Sequence, residues 1–474
     1  MSAFRCLSLF VLSLPALLAQ AQQSALPPAV AQALAAARVP VGSVAAVVQE
    51  AGAARATVSV NAAAPMNPAS VMKLVTTFAA LELLGPAYRW KTEAWISGPL
   101  RDGLLEGDLA LKGGGDPKLD MEGFWMLLRS LRGKGLREIR GDLVIDRSYF
   151  ERAPGDPGRF DGDAFRPYNV LPDALLVNYK SLRFAFVPEP ERAAVRLYVE
   201  PRPPALEVVN TLRLAEGPCP EGAAFRDLLK ITFEPARPRA AFTGQYPASC
   251  GEKDLNAALL EPNDQVAGMM REFWPELGGT WRGAVRDGPV PPGARLLHTR
   301  ESDSLAEIVR DTNKFSNNIM ARHIFLTLGA EDAGAPANAQ KALAAIRAWL
   351  ARKGIAAPEL VMENGSGLSR IERISAASLA ALLQAAWRSP VMPELVSSMP
   401  VVAVDGTMRK RLRGEGVAGQ AHIKTGLLSD ARAMAGFVLD RGGRYQIVVM
   451  LVNHQNAVEA QAAMDAMLRW VYDR

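Results

Sequence analysis

Ser70 and Lys73 stand one helical turn apart, and the motif that best complements them, Ser316-Asn317-Asn318, begins only 246 positions (316 − 70) after Ser70. If both belong to one site, the chain between them leaves that site and returns. So long a detour exceeds what one continuous catalytic core needs, which calls for an inserted segment.

The first pair follows Pro68 in Pro65-Met-Asn-Pro-Ala-Ser-Val-Met-Lys73, near a helix start, so both side chains share one face. An amine acts as a general base only when its pKa falls below the free value of roughly 10.4, and burial beside other donors lowers it. A serine at a helix N-terminus also keeps its own N–H free for a developing oxyanion. Alone, Ser-x-x-Lys is a weak signal, since many solvated helices contain it by chance.

Its company makes it strong. Ser316-Asn317-Asn318 and Lys424-Thr425-Gly426 follow in that order, and Ser-x-x-Lys, Ser-x-Asn and Lys-Thr-Gly are together the signatures of penicillin-recognising serine acyltransferases. Ser316 can relay a proton between Lys73 and a leaving amine, while the Asn318 amide can hold a substrate carbonyl. Lys424, Thr425 and Gly426 on a strand edge supply a cation, a hydroxyl and a close backbone approach, which suits a peptide ending in a free carboxylate.

Flanking segments extend the match: Leu84-Gly-Pro86, Gly107-Asp-Leu-Ala-Leu-Lys-Gly-Gly-Gly-Asp-Pro117, Asn364-Gly-Ser-Gly-Leu-Ser-Arg370 and Asp405-Gly-Thr407. With them the chain resembles the class C low-molecular-mass penicillin-binding proteins, the D-alanyl-D-alanine carboxypeptidase/endopeptidase family. The resemblance implies an α/β (α+β) transpeptidase-like catalytic domain, an antiparallel sheet flanked by helices, with two small β-rich inserted domains. It also implies hydrolysis of the D-Ala-D-Ala end of peptidoglycan stem peptides through a Ser70 acyl-enzyme, DD-endopeptidase cleavage by the same chemistry, covalent capture of β-lactam antibiotics, and no cofactor.

In that family an aspartate of the inserted part reaches the cleft. The best match is Asp163, with Asp161 beside it, in Gly158-Arg-Phe-Asp-Gly-Asp-Ala164; such a carboxylate would select stem peptides bearing a free amine. Three positions depart from the family pattern: Asn317 and Asn364 stand where aspartate is frequent, and Leu427 where a serine or threonine follows Lys-Thr-Gly. The last position resembles the second oxyanion donor, whose N–H survives any side-chain change. A β-lactamase and a non-catalytic murein-binding protein are the alternatives.

Residues 1–21 combine Arg5, an apolar run from Phe10 to Leu18 and Ala19-Gln-Ala21, the pattern of a cleaved secretory signal, so a periplasmic location is expected. No later apolar run is long enough to span a membrane, which excludes a transmembrane anchor but leaves loose membrane association open; the oligomeric state is not encoded legibly. In an oxidising compartment Cys219 and Cys250 are expected to pair rather than remain free thiols. A net charge of +5 without basic runs points away from nucleic acid. His298, His323, His422 and His454 lack metal-ligand spacing.

The expected domain plan is a catalytic domain over 22–89 and 262–474 with an insertion over 90–261. Within the insertion, residues 92–97 and 104–112 flank Arg101-Asp-Gly103 as a hairpin, and 143–146, 182–187, 195–199 and 231–233 read as strands. Residues 121–132 read as a helix with Phe124, Leu127, Leu128 and Leu131 as its core stripe. Gly113-Gly-Gly-Asp-Pro117 reads as a structural turn. In the catalytic part, 28–38 and 457–472 read as helices and 41–49, 436–439 and 445–452 as strands.

Overall fold

The structure, a computed structural model, describes residues 25–152, 155–234 and 236–474. The export signal expected over residues 1–21 therefore lies outside the described residues.

Five antiparallel strands form the central sheet in the order Ala56–Val60, Val44–Glu50, Tyr445–Asn453, Ala431–Leu439 and Ala421–Leu427. Both chain ends thus meet in one sheet. The inner stretches of its three central strands are apolar because each face is covered. Ala45, Val47, Ile447, Val449 and Leu451 point into the core under the helices Lys73–Leu83, Asn318–Ala333, Ala339–Arg352 and Ala376–Trp387. The alternate residues, Val44, Ala46, Val48, Val448, Met450 and Val452, pack under Pro28–Ala36 and Gln461–Tyr472. Side chains of period two have made one strand serve two cores. Ala463, Met467 and Val471 are all fully buried there, so the last helix lies on the sheet.

Two sequence expectations are corrected at element ends. Residues 41–43 are a 3₁₀ turn rather than the start of a strand; the Asn61 amide donates to the carbonyls of Val41 and Val44 and holds the turn. The last helix starts with a 3₁₀ turn, Ala457–Ala460.

The hairpin at Asp102-Gly103 is present, both residues having the positive φ of a type I′ turn (49° and 86°). Its arms are interrupted, however. Leu100–Arg101 and Leu104–Leu105 form the tip, while Lys91–Ser97 pairs with Asp108–Gly113 below it. The break falls where Gly107 approaches the Ser97 carbonyl so closely that a Cβ would lie 1.5 Å from its oxygen.

Strand pairing joins residues on both sides of position 261. Val285–Asp287 and Arg295–Glu301 complete the sheet opened by Lys91–Ser97, Asp108–Gly113 and Leu143–Asp146. Pro262–Glu276 packs beside Met121–Gly133 on that sheet through Val266, Met269, Met270, Phe273 and Trp274. The sequence hides this because those strands are three and seven residues long and find their partners only across the sheet.

A further module is built on the three-stranded sheet of Leu182–Glu189, Ala194–Glu200 and Lys253–Ala257. Phe184, Phe186, Phe242 and Tyr246 form its core. Cys219 and Cys250, 31 positions apart, are bonded with Cα atoms 4.8 Å apart.

Candidate active site

Ser70 lies in a 3₁₀ turn, Ala69–Met72, that feeds the helix Lys73–Leu83. Ala69 ahead of it is left-handed (φ 46°), a conformation that disfavours a side chain. The turn is fixed by Asn67. Its Oδ1 accepts from the Ala69 N–H, its Nδ2 donates to the Ser369 carbonyl, and its backbone is paired both ways with the Asn453 side chain at the sheet. Gly367 and Gly426 approach the same turn; a Cβ on either would lie 2.7 Å and 3.0 Å from the Ser70 nitrogen, respectively.

The Lys73 Nζ donates to Ser70 Oγ at 3.0 Å, to Asn318 Oδ1 at 2.7 Å and to the Ser366 carbonyl at 2.5 Å. Lys73 is wholly buried. Burial first, then the charge of Lys424, presses its pKa well below the ordinary lysine value, while the Glu372 carboxyl opposes that fall. A lysine so placed can hold its amine neutral and accept the proton of Ser70.

The second motif turns between the helices Leu305–Lys314 and Asn318–Ala333. Ser316 is left-handed there, with φ 56°. Its hydroxyl accepts from Lys424 Nζ at 2.8 Å, so the lysine it meets is Lys424 rather than the expected Lys73. Lys424 lies on the strand Ala421–Leu427, is fully buried, and has its pKa pushed down by burial to about 7. Two chains of side chains thus converge, Ser70 with Lys73 and Asn318, and Ser316 with Lys424. Thr425 exchanges a hydrogen bond of 2.7 Å with the exposed Thr407 hydroxyl.

The three departures acquire local explanations. Asn317 caps its helix by accepting from the Met320 N–H, which an aspartate would do equally. Asn364 accepts from both the N–H and the hydroxyl of Ser366 and donates its amide to the Leu368 carbonyl, a bond that a carboxylate could not make. The Leu427 side chain is 54% exposed and supplies no hydroxyl.

Asp163 does not meet Ser70. Its carboxylate pairs with Arg166 at 2.5 Å, and Asp161 accepts from Tyr168 and Asn169. Arg166 and Tyr168, not the two aspartates, line a cavity of about 700 Å³ that Phe315 to Ile319 also line. Phe160 of the same loop stacks on Arg370 with 4.4 Å from guanidinium to ring centroid, and packs near Ala69 and Leu428. His422 Nδ1 donates to the Val396 carbonyl at 3.1 Å, as a packed strand residue does.

Sequence reasoning missed Glu372. It is fully buried, and one carboxyl oxygen accepts from the N–H groups of Glu363, Asn364 and Gly365, shaping the loop that aims the Ser366 carbonyl at Lys73. Burial raises its pKa and the three N–H groups restrain the rise. Its place two residues past the Asn364 to Arg370 segment was the available signal. Among the described residues no cluster of three or more His, Cys, Asp or Glu could hold a metal, and no helix is long and apolar enough to cross a membrane.

Comparison with known proteins places this arrangement. The model of the D-Ala-D-Ala carboxypeptidase 3 (S13) family matches residues 26–473. A D-alanyl-D-alanine carboxypeptidase from Actinomadura sp. is 30% identical over 413 residues, 84% of this chain and 75% of that protein. The crystal structure of penicillin binding protein 4 from Haemophilus influenzae aligns with TM-score 0.76 at 22% identity, covering 93% of this chain and 99% of the other. The same protein complexed with a novel β-lactam aligns with TM-score 0.73 at 22% identity, over 94% and 98%. These two structures establish a shared fold, and the match to the family model along nearly the whole chain establishes the lineage: this chain belongs to the D-Ala-D-Ala carboxypeptidase 3 (S13) family.

Proposed function

We propose that this protein is a serine-type D-Ala-D-Ala carboxypeptidase acting on peptidoglycan stem peptides. The observation that carries the proposal is the 3.0 Å contact between Ser70 Oγ and a fully buried Lys73 amine of depressed pKa. Ser70 Oγ attacks the carbonyl carbon of the penultimate D-alanine and yields its proton to Lys73. The C–N bond breaks as the Ser316 hydroxyl protonates the departing amine, and the Lys424 ammonium restores that proton. The N–H groups of Ser70 and Leu427 serve the oxyanion, and Asn318 holds the acyl-side amide. Lys424, Thr425 and Gly426 receive the terminal carboxylate. Water then attacks the ester, giving its proton back to Lys424 through Ser316, while Lys73 returns its proton to Ser70 Oγ as the ester C–O bond breaks and frees the serine. A β-lactam, acylating the same serine, is a covalent inhibitor.

Release of D-alanine from a pentapeptide stem tests this: wild type releases it and Ser70→Ala does not. Binding without release would mark a murein-binding protein, and rapid turnover of the penicilloyl adduct a β-lactamase. DD-endopeptidase cleavage is a second outcome of the same chemistry. It is favoured by the cavity of about 700 Å³ beside Ser316, ample for more than a single leaving D-alanine. Export to the periplasm belongs to the same proposal, and N-terminal sequencing of the mature protein should begin near Gln22.

The Asp163 and Arg166 pair leaves selection of a free amine by Asp163 as a proposal that requires the pair to open. Its test is the rate ratio between amine-bearing and amine-blocked peptides for Asp163→Ala, and an unchanged ratio removes the aspartate from specificity.

A further inference from the structure

The short segment after the helix Met392–Ser398 is anchored on the second motif and offers a hydroxyl to the third. Asp405 accepts from Lys314 Nζ at 2.6 Å and from the Val401 N–H at 2.8 Å. Lys314 is only 12% exposed and lies two residues before Ser316, so this ion pair is tied to the Ser316 turn. Gly406 follows with φ 54°, and a Cβ there would lie 2.5 Å from the Lys314 carbonyl oxygen. Only glycine permits that approach. The turn Gly406–Met408 then places Thr407, exposed, with its Oγ1 2.7 Å from Thr425 Oγ1.

Two hydroxyls in contact share one O–H between them, which leaves one donor for a ligand. A carboxylate arriving at the pair can take both donors, one for each oxygen, and break the bond between the threonines. Meanwhile the strand Ala421–Leu427 carries no hydroxyl at position 427, so Thr425 is its one hydroxyl.

We propose that Thr407 is a substrate-binding residue: with Thr425 it forms a two-hydroxyl clamp for the terminal carboxylate and replaces the hydroxyl missing at Leu427. The inference rests on the carboxypeptidase reading above. It gives the Asp405-Gly406-Thr407 turn a function beyond closing a loop, since the Lys314 and Asp405 pair sets the height of the clamp relative to Ser316.

The test compares Thr407→Val, Thr407→Ser and Thr407→Val combined with Leu427→Thr on a stem peptide ending in a free carboxylate and on the same peptide ending in a primary amide. The quantity read is the preference in kcat/KM for carboxylate over amide. Loss of one charge-assisted hydrogen bond should lower that preference about tenfold in Thr407→Val, chiefly through KM. Thr407→Ser should keep it, and Leu427→Thr should restore it. An equal loss on both substrates, or no change in the preference, overturns the clamp and leaves Thr407 as a staple between turn and strand. Wild-type release of D-alanine reports separately on the underlying reading. If none occurs, the clamp is judged by acylation with a β-lactam carboxylate against its methyl ester, where Thr407→Val must again narrow the gap.

Discussion

Around Ser70, Lys73 and Lys424 are both fully buried, and Ala69 and Ser316 hold left-handed backbone. In the module around Cys219 and Cys250 the charges stay outside instead, as where Arg183 pairs with Glu200 and Asp254, all more than 40% exposed. Its interior is aromatic, Phe242 lying against Phe184, Phe186 and Phe233. Left-handed non-glycine residues cost of order 1–3 kcal/mol each, and a buried lysine costs more while it is charged. Ala193 and Lys230 of the module are left-handed too, but the two fully buried lysines belong to the catalytic region, where the largest core among the described residues surrounds them. The module has a smaller core and a covalent link. One region holds unfavourable groups in a reactive arrangement; the other holds itself together.

The comparison breaks first at the nucleophile. Ser70→Ala should abolish covalent labelling by a fluorescent penicillin, and Lys73→Ala should slow acylation by about 10²–10⁴-fold, as loss of a general base does. Labelling at another serine after Ser70→Ala would place the reactive centre elsewhere.

Phe242→Ala sharpens the separateness of the two regions. It empties a fully buried site and should destabilise the module by about 3–5 kcal/mol. Hydrogen exchange should report the loss in residues 182–257 while labelling of Ser70 persists; uniform unfolding would show that the two cores stand or fall together.

Removing the disulfide is the next smaller change. Replacing Cys219 and Cys250 by serine frees a loop of 31 positions and should lower stability by about 3–4 kcal/mol, read from denaturant midpoints, with acylation retained. A midpoint unmoved by reductant would remove the bond from the account of the module.

Lys424 gives an effect of opposite sign. Its folded pKa, about 7, lies below the unfolded value of about 10.4, so between those limits the unfolded chain binds more protons. Its destabilising contribution is therefore full below about pH 7 and fades as pH rises toward about 10.4. Lys424→Met should melt above wild type at neutral pH while losing acylation, and the difference should shrink by pH 10. A gain that ignores pH would trace to packing, not to charge.

Legibility followed locality. The helix Met121–Gly133 was readable because Phe124, Leu127, Leu128 and Leu131 repeat at helical spacing, and all four are buried. The hairpin tip was readable from Asp102-Gly103, but its interruption was not, since the close approach at Gly107 is a contact between two strands. At the candidate site, Ser70, Lys73, Ser316, Asn318 and Lys424, which the fold brings together, are legible as motifs. Glu372 was missed, because a buried carboxyl gathering three N–H groups leaves no periodic trace.

By itself the sequence determined which residue types were available for acyl transfer and that the chain must leave the site and return, since motif chemistry and chain length are properties of the string. Tertiary structure decided which lysine each serine meets, Lys73 for Ser70 and Lys424 for Ser316. It also turned the Asp163 carboxylate onto Arg166 and set Thr407 against Thr425. Hydrogen bonds, ion pairs and desolvation depend on distances of a few ångströms between residues far apart in the chain, and only the packed sheet and helices set those distances.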